Sequence, residues 1–299
     1  MAVNFLKSLK WEVRKFCIDH YPKIVIDSIW KKTFGYPIDW KHPKDLNEKI
    51  QWLICYGDTS KWPMLADKYL VRNYIQERGY GHLLPKLYGH WNDVAEIDFS
   101  KLPQKFIIKC NHDSSSWHKI DQSLEYDKNA ILADLGYHLR RKWGYINCEP
   151  HYNKIKPCVI AEELLESHTD SFSTSLVDYK VWCFDGKPYS VWVCYNRDYK
   201  GTDVNLYDLD WNVHPEYSVF TDHYRDGKGV VPKPKLLDEM LQAAADLSKG
   251  LPQARMDFYI VDNKLYFGEI TLTSQYGRMD FFTKDYLLEL GDQCKLPFE

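Results

Sequence analysis

Residues 254–274 read ARMDFYIVDNKLYFGEITLTS. Two runs of aromatic and β-branched residues flank Asp262-Asn263, the pattern of a β-hairpin. Strand side chains alternate between faces. In the first run Met256, Phe258 and Ile260 take one face, and Arg255, Asp257 and Tyr259 the other. In the second, Tyr266, Ile270 and Leu272 share a face, opposite Glu269, Thr271 and Thr273. A two-residue turn at Asp262-Asn263 pairs Val261 with Lys264, sets Asp257 against Gly268 and leaves Glu269 on the apolar side. A three-residue loop over 261–263 with Asn263 left-handed, or a bulge, shifts the parity by one. Asp257 and Glu269 then share a face with Arg255 and Thr271. A one-residue slip would expose the whole apolar set, so the looped or bulged register is expected.

Two carboxylates on one sheet face can hold Mg²⁺, which takes oxygen ligands and usually shares them with substrate phosphates. An adjoining arginine can stabilise a developing oxyanion or phosphate charge. The same pattern also fits a half-solvated hairpin with its charges in water, so the rest of the chain has to choose.

The chain has 299 residues, 44% of them hydrophobic. That suffices for one large core or two smaller ones. A net charge of −3 argues against general nucleic-acid affinity. Aromatics make up 15% of the chain, a supply that suits sugar or nucleobase faces but also fills cores. Cys17, Cys55, Cys110, Cys148, Cys158, Cys183, Cys194 and Cys294 form no CxxC and no zinc spacing. They read as reduced, mostly buried thiols of a cytoplasmic protein. No apolar run is long enough to span a bilayer, and no signal peptide is evident.

Residues 1–20 read as an amphipathic helix, with Phe5, Leu6, Leu9, Val13 and Phe16 at helical spacing and Lys7, Lys10, Arg14 and Lys15 elsewhere. It suits either packing on its own domain or peripheral contact with an anionic membrane face. A capped helix is expected over 45–53, and another over 62–78 ending at Gly79. Residues 83–88 read as a strand. Residues 106–109 form a short apolar strand ending in Lys109, which runs into the polar loop 110–117. Amides and hydroxyls in such a loop can cradle phosphate oxygens, although the segment also suits an ordinary turn. A helix is expected over 124–143 and a buried strand over 158–161, followed by Glu162 and Glu163. Residues 167–175 read as a mobile polar segment. A second hairpin is expected from 176–184 and 189–194 around Asp185-Gly186, with Asp178 and Lys180 on one face. Residues 196–230 read mostly as loop, and 234–249 as a helix closed by Gly250.

The order of these features resembles the TupA-like ATP-grasp family of polysaccharide gene clusters. The stretches that carry it are LNEKIQWL, ADKYLVRNYI, LPQKFIIKCNHDS, VIAEELLE, DYKVWCFDGKP, YDLDWN and the opening hairpin, from about residue 46 to 285. The resemblance implies an α+β ATP-grasp fold: two antiparallel-sheet lobes enclosing a nucleotide cleft, with an N-terminal helical segment. It divides the chain into an N-terminal helical region 1–82, a lid subdomain 83–161 and a catalytic core 162–299. By position, Lys68 and Lys109 would contact the α and β phosphates of ATP. Asn111, Ser114, Ser115 and Ser116 belong to the phosphate-covering loop. Glu162, Glu163 and Leu165 would read the adenine, and Asp178 the ribose. Lys180 would meet the phosphates and Arg255 the acyl phosphate. Asp257, Glu269 and Thr271 would hold Mg²⁺. Two departures stand out: serines replace the glycines many relatives carry in the loop, and Thr271 replaces a common asparagine metal ligand.

The activity so implied is an ATP- and Mg²⁺-dependent carboxylate–amine ligase. It would join an amine or amino acid to a uronic acid carboxyl of a surface polysaccharide precursor. A glycosyltransferase using the DxD tripeptide 208–210 and a non-catalytic nucleotide-binding protein are the rival readings.

Overall fold

The computed structural model describes residues 2–166 and 172–298, with side chains from residue 9 onward. Helices open the chain: α1 (Ala2–His20), α2 (Pro22–Phe34), α3 (Leu46–Tyr56), α4 (Trp62–Ala66) and α5 (Val71–Glu77). Then come β1 (Leu87–Trp91), β2 (Lys105–Cys110), β3 (His118–Asp121), α6 (Lys128–Arg140), α7 (Gly144–Asn147) and β4 (Val159–Glu162). The last part holds β5 (Asp178–Phe184), β6 (Lys187–Tyr195), β7 (Thr202–Tyr207), β8 (Tyr224–Asp226), α8 (Leu237–Ser248), β9 (Ala254–Val261), β10 (Lys264–Thr271) and α9 (Lys284–Gln293).

These strands form two sheets, as an α+β fold of two lobes requires. The smaller is antiparallel, in the order β1-β4-β2-β3. The larger runs β10-β9-β5-β6-β7-β8 and is antiparallel except for the parallel pair β7 and β8. Each sheet buries its own apolar set. Phe106, Ile108, Ile120 and Val159 pack with Leu135 of α6. Val181, Val191, Met256 and Phe258 pack with Met240 and Leu247 of α8. Trp30, Ile50, Leu65 and Ile75 of the N-terminal helices join this second core.

Of the two expected routes to the matched faces, loop or bulge, the opening hairpin takes the bulge. Val261 pairs with Lys264, so the turn has two residues, Asp262 and Asn263, both left-handed at φ 50° and 60°. Asp and Asn tolerate that region better than other side chains. The parity shift comes from a bulge at Gly268, after which Glu269 pairs with Asp257 and Thr271 with Arg255. A Cβ at Gly268 would lie 3.0 Å from both the Asp257 carbonyl oxygen and the Tyr259 ring, which explains the glycine.

Other expectations are corrected. The helix expected over 62–78 breaks because the buried Asp67 carboxylate accepts from the amides of Tyr69 and Leu70 and starts α5 anew. The strand expected at 83–88 begins at Leu87, after a 3₁₀ turn at Gly81–Leu83. The helix expected over 124–143 shrinks to α6, whose start is set by Asp127 accepting from the Ala130 amide. Residues 196–230 contain β7 and β8; the first pairs with β6 and buries Val204 and Leu206. Of the polar segment 167–175, residues 167–171 lie outside the described residues. In α1, Ile18 is buried, whereas Leu9, Val13 and Phe16 are 50–56% exposed. The side chains of Phe5, Leu6 and Lys7 lie outside the described residues. No described helix is long and apolar enough to cross a membrane.

Candidate active site

Strand register builds the site. Lys180 of β5 pairs with Asp257 of β9, which pairs with Glu269 of β10. Cross-strand partners share a face, so one row carries a lysine and two carboxylates. Arg255 and Thr271 form the next row. The Arg255 guanidinium grips Asp257 with two bonds, Nε to Oδ1 and Nη2 to Oδ2, each 2.7 Å. Its Nη2 also lies 3.0 Å from the Thr271 hydroxyl and 3.5 Å from Glu269, and its Nη1 donates to Ser274 Oγ at 2.9 Å. Lys180 Nζ reaches Asp257 Oδ2 at 2.6 Å and stands 3.7 Å from Asp178, which Arg197 holds at 2.6 Å.

Burial works to raise the pKa of Asp257, but Arg255 and Lys180 outweigh it, and its carboxyl is held below the usual range. Burial likewise opposes the charge on Lys180, and Asp178 and Asp257 overcome it. Both cations are therefore fixed and charged beside the sheet.

A second charged group joins the small sheet to the helices. Lys109 Nζ sits 2.7 Å from one Glu162 oxygen, and Arg72 Nη1 sits 2.8 Å from the other. Arg72 also donates to the Pro85 carbonyl at 2.7 Å. Sequence reasoning missed Arg72; its signal was a second cation four positions after Lys68. Glu163 pairs outward, its amide bonded to the Lys86 carbonyl. Leu165 is half-buried beyond the strand end.

The polar loop at 110–117 is held from within. Asp113 turns its carboxylate to Ser116 and to the His138 ring. Ser116 Oγ also accepts from the Cys110 amide at 3.0 Å. Asn111 is spent on Asp67, Lys156 and Cys158. The side chains of Asn111 and Ser116 are thus buried in the loop's own support, whereas Ser114 and Ser115 are exposed. Lys68 Nζ donates to the Asp113 carbonyl at 2.6 Å. His112 is buried with Nε2 on the Arg141 carbonyl, and burial lowers its pKa.

A cavity of about 450 Å³ opens between these parts. Lys68, Ser114, Lys180, Arg255, Glu269 and Thr271 all line it. Lys109, Glu162, Asp178 and Asp257 are absent from its lining. The DxD tripeptide is elsewhere: Asp208 closes a turn by accepting from Asn212 and also contacts His214.

Residues 48–295 match the family model described as TupA-like ATPgrasp. The chain belongs to the TupA-like ATP-grasp family. Its fold is the α+β ATP-grasp fold. Solved structures similar to this member include the D-alanine–D-alanine ligase from Bacillus anthracis complexed with ATP. That match has 15% identity and a TM-score of 0.42, covering 77% of this chain and 63% of that one. Another is the ATP-grasp ligase PsnB complexed with a phosphomimetic variant of its minimal precursor, Mg and ADP. It has 14% identity and a TM-score of 0.42, covering 83% and 67% of the two chains. A third is the L-amino acid ligase from Bacillus licheniformis, at 13% identity and TM-score 0.39, covering 70% and 40%. No curated protein matches the chain.

Asp257, Glu269 and Thr271 offer hard oxygen donors of the kind Mg²⁺ takes. Among the described residues no group of three or more His, Cys, Asp or Glu could enclose a metal. A magnesium ion would thus lean on water and phosphate oxygens, as it commonly does. Asp257 already serves Arg255 and Lys180, so sharing one of its oxygens with a metal would loosen that grip.

Proposed function

We propose that this ATP-grasp protein is an ATP- and Mg²⁺-dependent carboxylate–amine ligase that works through an acyl phosphate. The observation that carries the reading is one cavity lined by Lys68, Lys180 and Arg255 beside Glu269 and Thr271. Phosphoryl transfer needs positioning and charge neutralisation more than covalent help from the protein. Lys68 and Ser114 approach from the loop side, Lys180 and Arg255 from the sheet. Arg255 presents a planar fork suited to carboxylate or phosphoryl oxygens and keeps its charge at any working pH. Asp257, Glu269 and Thr271 would hold Mg²⁺, which supplies neutralising charge to the phosphates. Glu162, with Lys109 on one oxygen and Arg72 on the other, would face the adenine end, together with the backbone from Glu163 to Leu165. Asp178 would meet the ribose. Asn111 and Ser116 would shape the covering loop rather than touch phosphate, since their polar atoms are already engaged.

The acceptor is proposed to be a uronic acid-containing precursor of a surface polysaccharide, coupled to an amine or amino acid. This part rests on the family resemblance. The site of action is proposed to be cytoplasmic, with α1 at the inner membrane face. Asp208 lies in a turn outside the cavity, so no observation favours the glycosyltransferase reading.

The test incubates the protein with MgATP, candidate uronic acids and hydroxylamine. ADP release with hydroxamate formation, and ¹⁸O passing from carboxylate to phosphate, is the expected result. Productive turnover without that ¹⁸O transfer would remove the acyl phosphate. Release of UDP or GDP from sugar nucleotides would establish the rival activity.

A further inference from the structure

Two carboxyls of the cavity lining have no part in the roles above: Asp198, exposed and paired with Arg225, and Glu149. Glu149 follows α7, is 3% exposed and lines the same cavity as Arg255 and Glu269. Its Oε1 accepts from the Thr273 hydroxyl, just beyond β10. Its Oε2 is buried and has no partner. Leaving a buried carboxyl oxygen unpaired is costly, more so if it is ionised. The guanidinium of Arg278, which acts on Glu149 electrostatically, directs its Nη1 to the carbonyls of Asn147 and Tyr276 at 3.4 and 3.3 Å. Burial outweighs Thr273 and Arg278 and raises the Glu149 pKa to about 7. Among the described residues Glu149 thus has no ion-pair partner, and Arg278 acts on its carboxyl without bonding it.

The surroundings also look made for a ligand. Ser274, Gln275 and Tyr276 continue the cavity wall from Thr273. Gln275 and Tyr276 are left-handed, at φ 44° and 62°, as non-glycine residues rarely are. Gln51 of α3 holds this bend by donating to the carbonyls of Tyr276 and Gly277 at 2.7 and 2.9 Å. Such strain persists where the surrounding structure over-determines it, commonly at ligand sites. The cations of the cavity, Lys68, Lys180, Arg197 and Arg255, suit anionic phosphate and carboxylate. Glu149 is the acidic group on the α7 side.

We propose that Glu149, with Thr273 and Ser274, forms the subsite for a primary ammonium group, the attacking end of the acceptor. The inference rests on the ligase reading. Glu149 pairs with the ammonium and takes one of its protons. The freed nitrogen lone pair attacks the acyl carbon, forming the C–N bond. The C–O bond to phosphate breaks, its electron pair leaving on phosphate. The second nitrogen proton departs with phosphate as hydrogen phosphate, and the product is the amide.

The test loads the protein with Mg²⁺ and a non-hydrolysable ATP analogue. Saturation-transfer NMR then follows ethanolamine, glycinamide and glucosamine, each beside its N-acetylated form. At least one amine should bind saturably while its acetylated form does not. Glu149→Gln should weaken that binding about tenfold or more, the scale of one charge-assisted bond. Nucleotide affinity should stay unchanged. The glutamine still reaches Thr273, so a purely structural role for Glu149 would leave amine binding unmoved. Equal amine binding by wild type and Glu149→Gln would overturn the proposal, as would no amine binding to the wild type. Failure to bind the ATP analogue would instead sink the ligase reading, whatever the amines do.

Discussion

Asp257 is the residue on which the site's charges balance. It is buried and accepts from Arg255 and Lys180 together. Removing one partner of a buried ion pair typically costs about 3–5 kcal/mol. Arg255→Ala should therefore lower the melting temperature markedly. Arg255→Lys keeps a cation beside Asp257 but loses the fork. It should melt close to wild type and still lower kcat by roughly 10²–10³, the scale of one lost oxyanion donor. Calorimetry should show ATP affinity little changed. A Lys variant with wild-type kcat would take Arg255 out of the chemical step. Glu149 gives a second residue-level prediction. Its pKa is about 7 in the fold against 4.5 ordinarily. The folded state thus holds an extra proton between those values. The stability Glu149 contributes is complete below about pH 4.5 and is lost as pH rises through 7, by about 3 kcal/mol at most. His151 slopes the opposite way, because burial lowers its pKa to about 3. The difference between wild type and Glu149→Gln in denaturant titrations isolates the Glu149 slope. A difference that stays flat from pH 4.5 to 7 would contradict the assignment.

At the scale of elements, α1 shows a divided surface. Arg14 donates to the carbonyls of Tyr145 and Ile146, and Ile18 is buried, so one side docks on the protein. Leu9, Val13 and Phe16 face solvent on the other side. Basic residues beside such a stripe favour an anionic bilayer surface. The double substitution Val13→Glu and Phe16→Glu should abolish co-sedimentation with phosphatidylserine vesicles and leave the melting temperature unchanged. If wild type also stays in the supernatant, α1 is no membrane element. The hairpin of β9 and β10 was legible because its alternation allowed only one register that buries the apolar set. Its turn was not: either loop or bulge restores the same pairing, and the choice fell to the close approach at Gly268. The break between α4 and α5 was hidden because Asp67 looks like any helix-surface acid. Its carboxylate acts as a cap only once Asn111 and two amides surround it.

For the whole molecule, the charged groups come from separate parts of the structure. Lys109 belongs to the small sheet with its own core, and Lys180 and Arg255 to the large one. A nucleotide held by both should stabilise them together, by about 2.7 kcal/mol at a hundredfold excess over its Kd. Lys68→Ala and Lys109→Ala should each weaken MgATP binding by roughly 10- to 100-fold, as charge-assisted bonds worth about 1.5–3 kcal/mol are lost. Unchanged calorimetric affinity in both variants would refute their roles in nucleotide binding. The sequence alone determined the faces of β9 and β10, because periodicity is a local property of the chain; the order of its motifs carried the resemblance to the family, and the two-lobed α+β architecture followed from that resemblance. Only the tertiary structure decided that Arg72 shares Glu162 with Lys109. It also turned Asn111 and Ser116 inward, and brought Glu149 to Thr273, 124 positions away. Those pairings depend on which buried polar atoms meet, and the chain specifies that only after its two cores have closed around them.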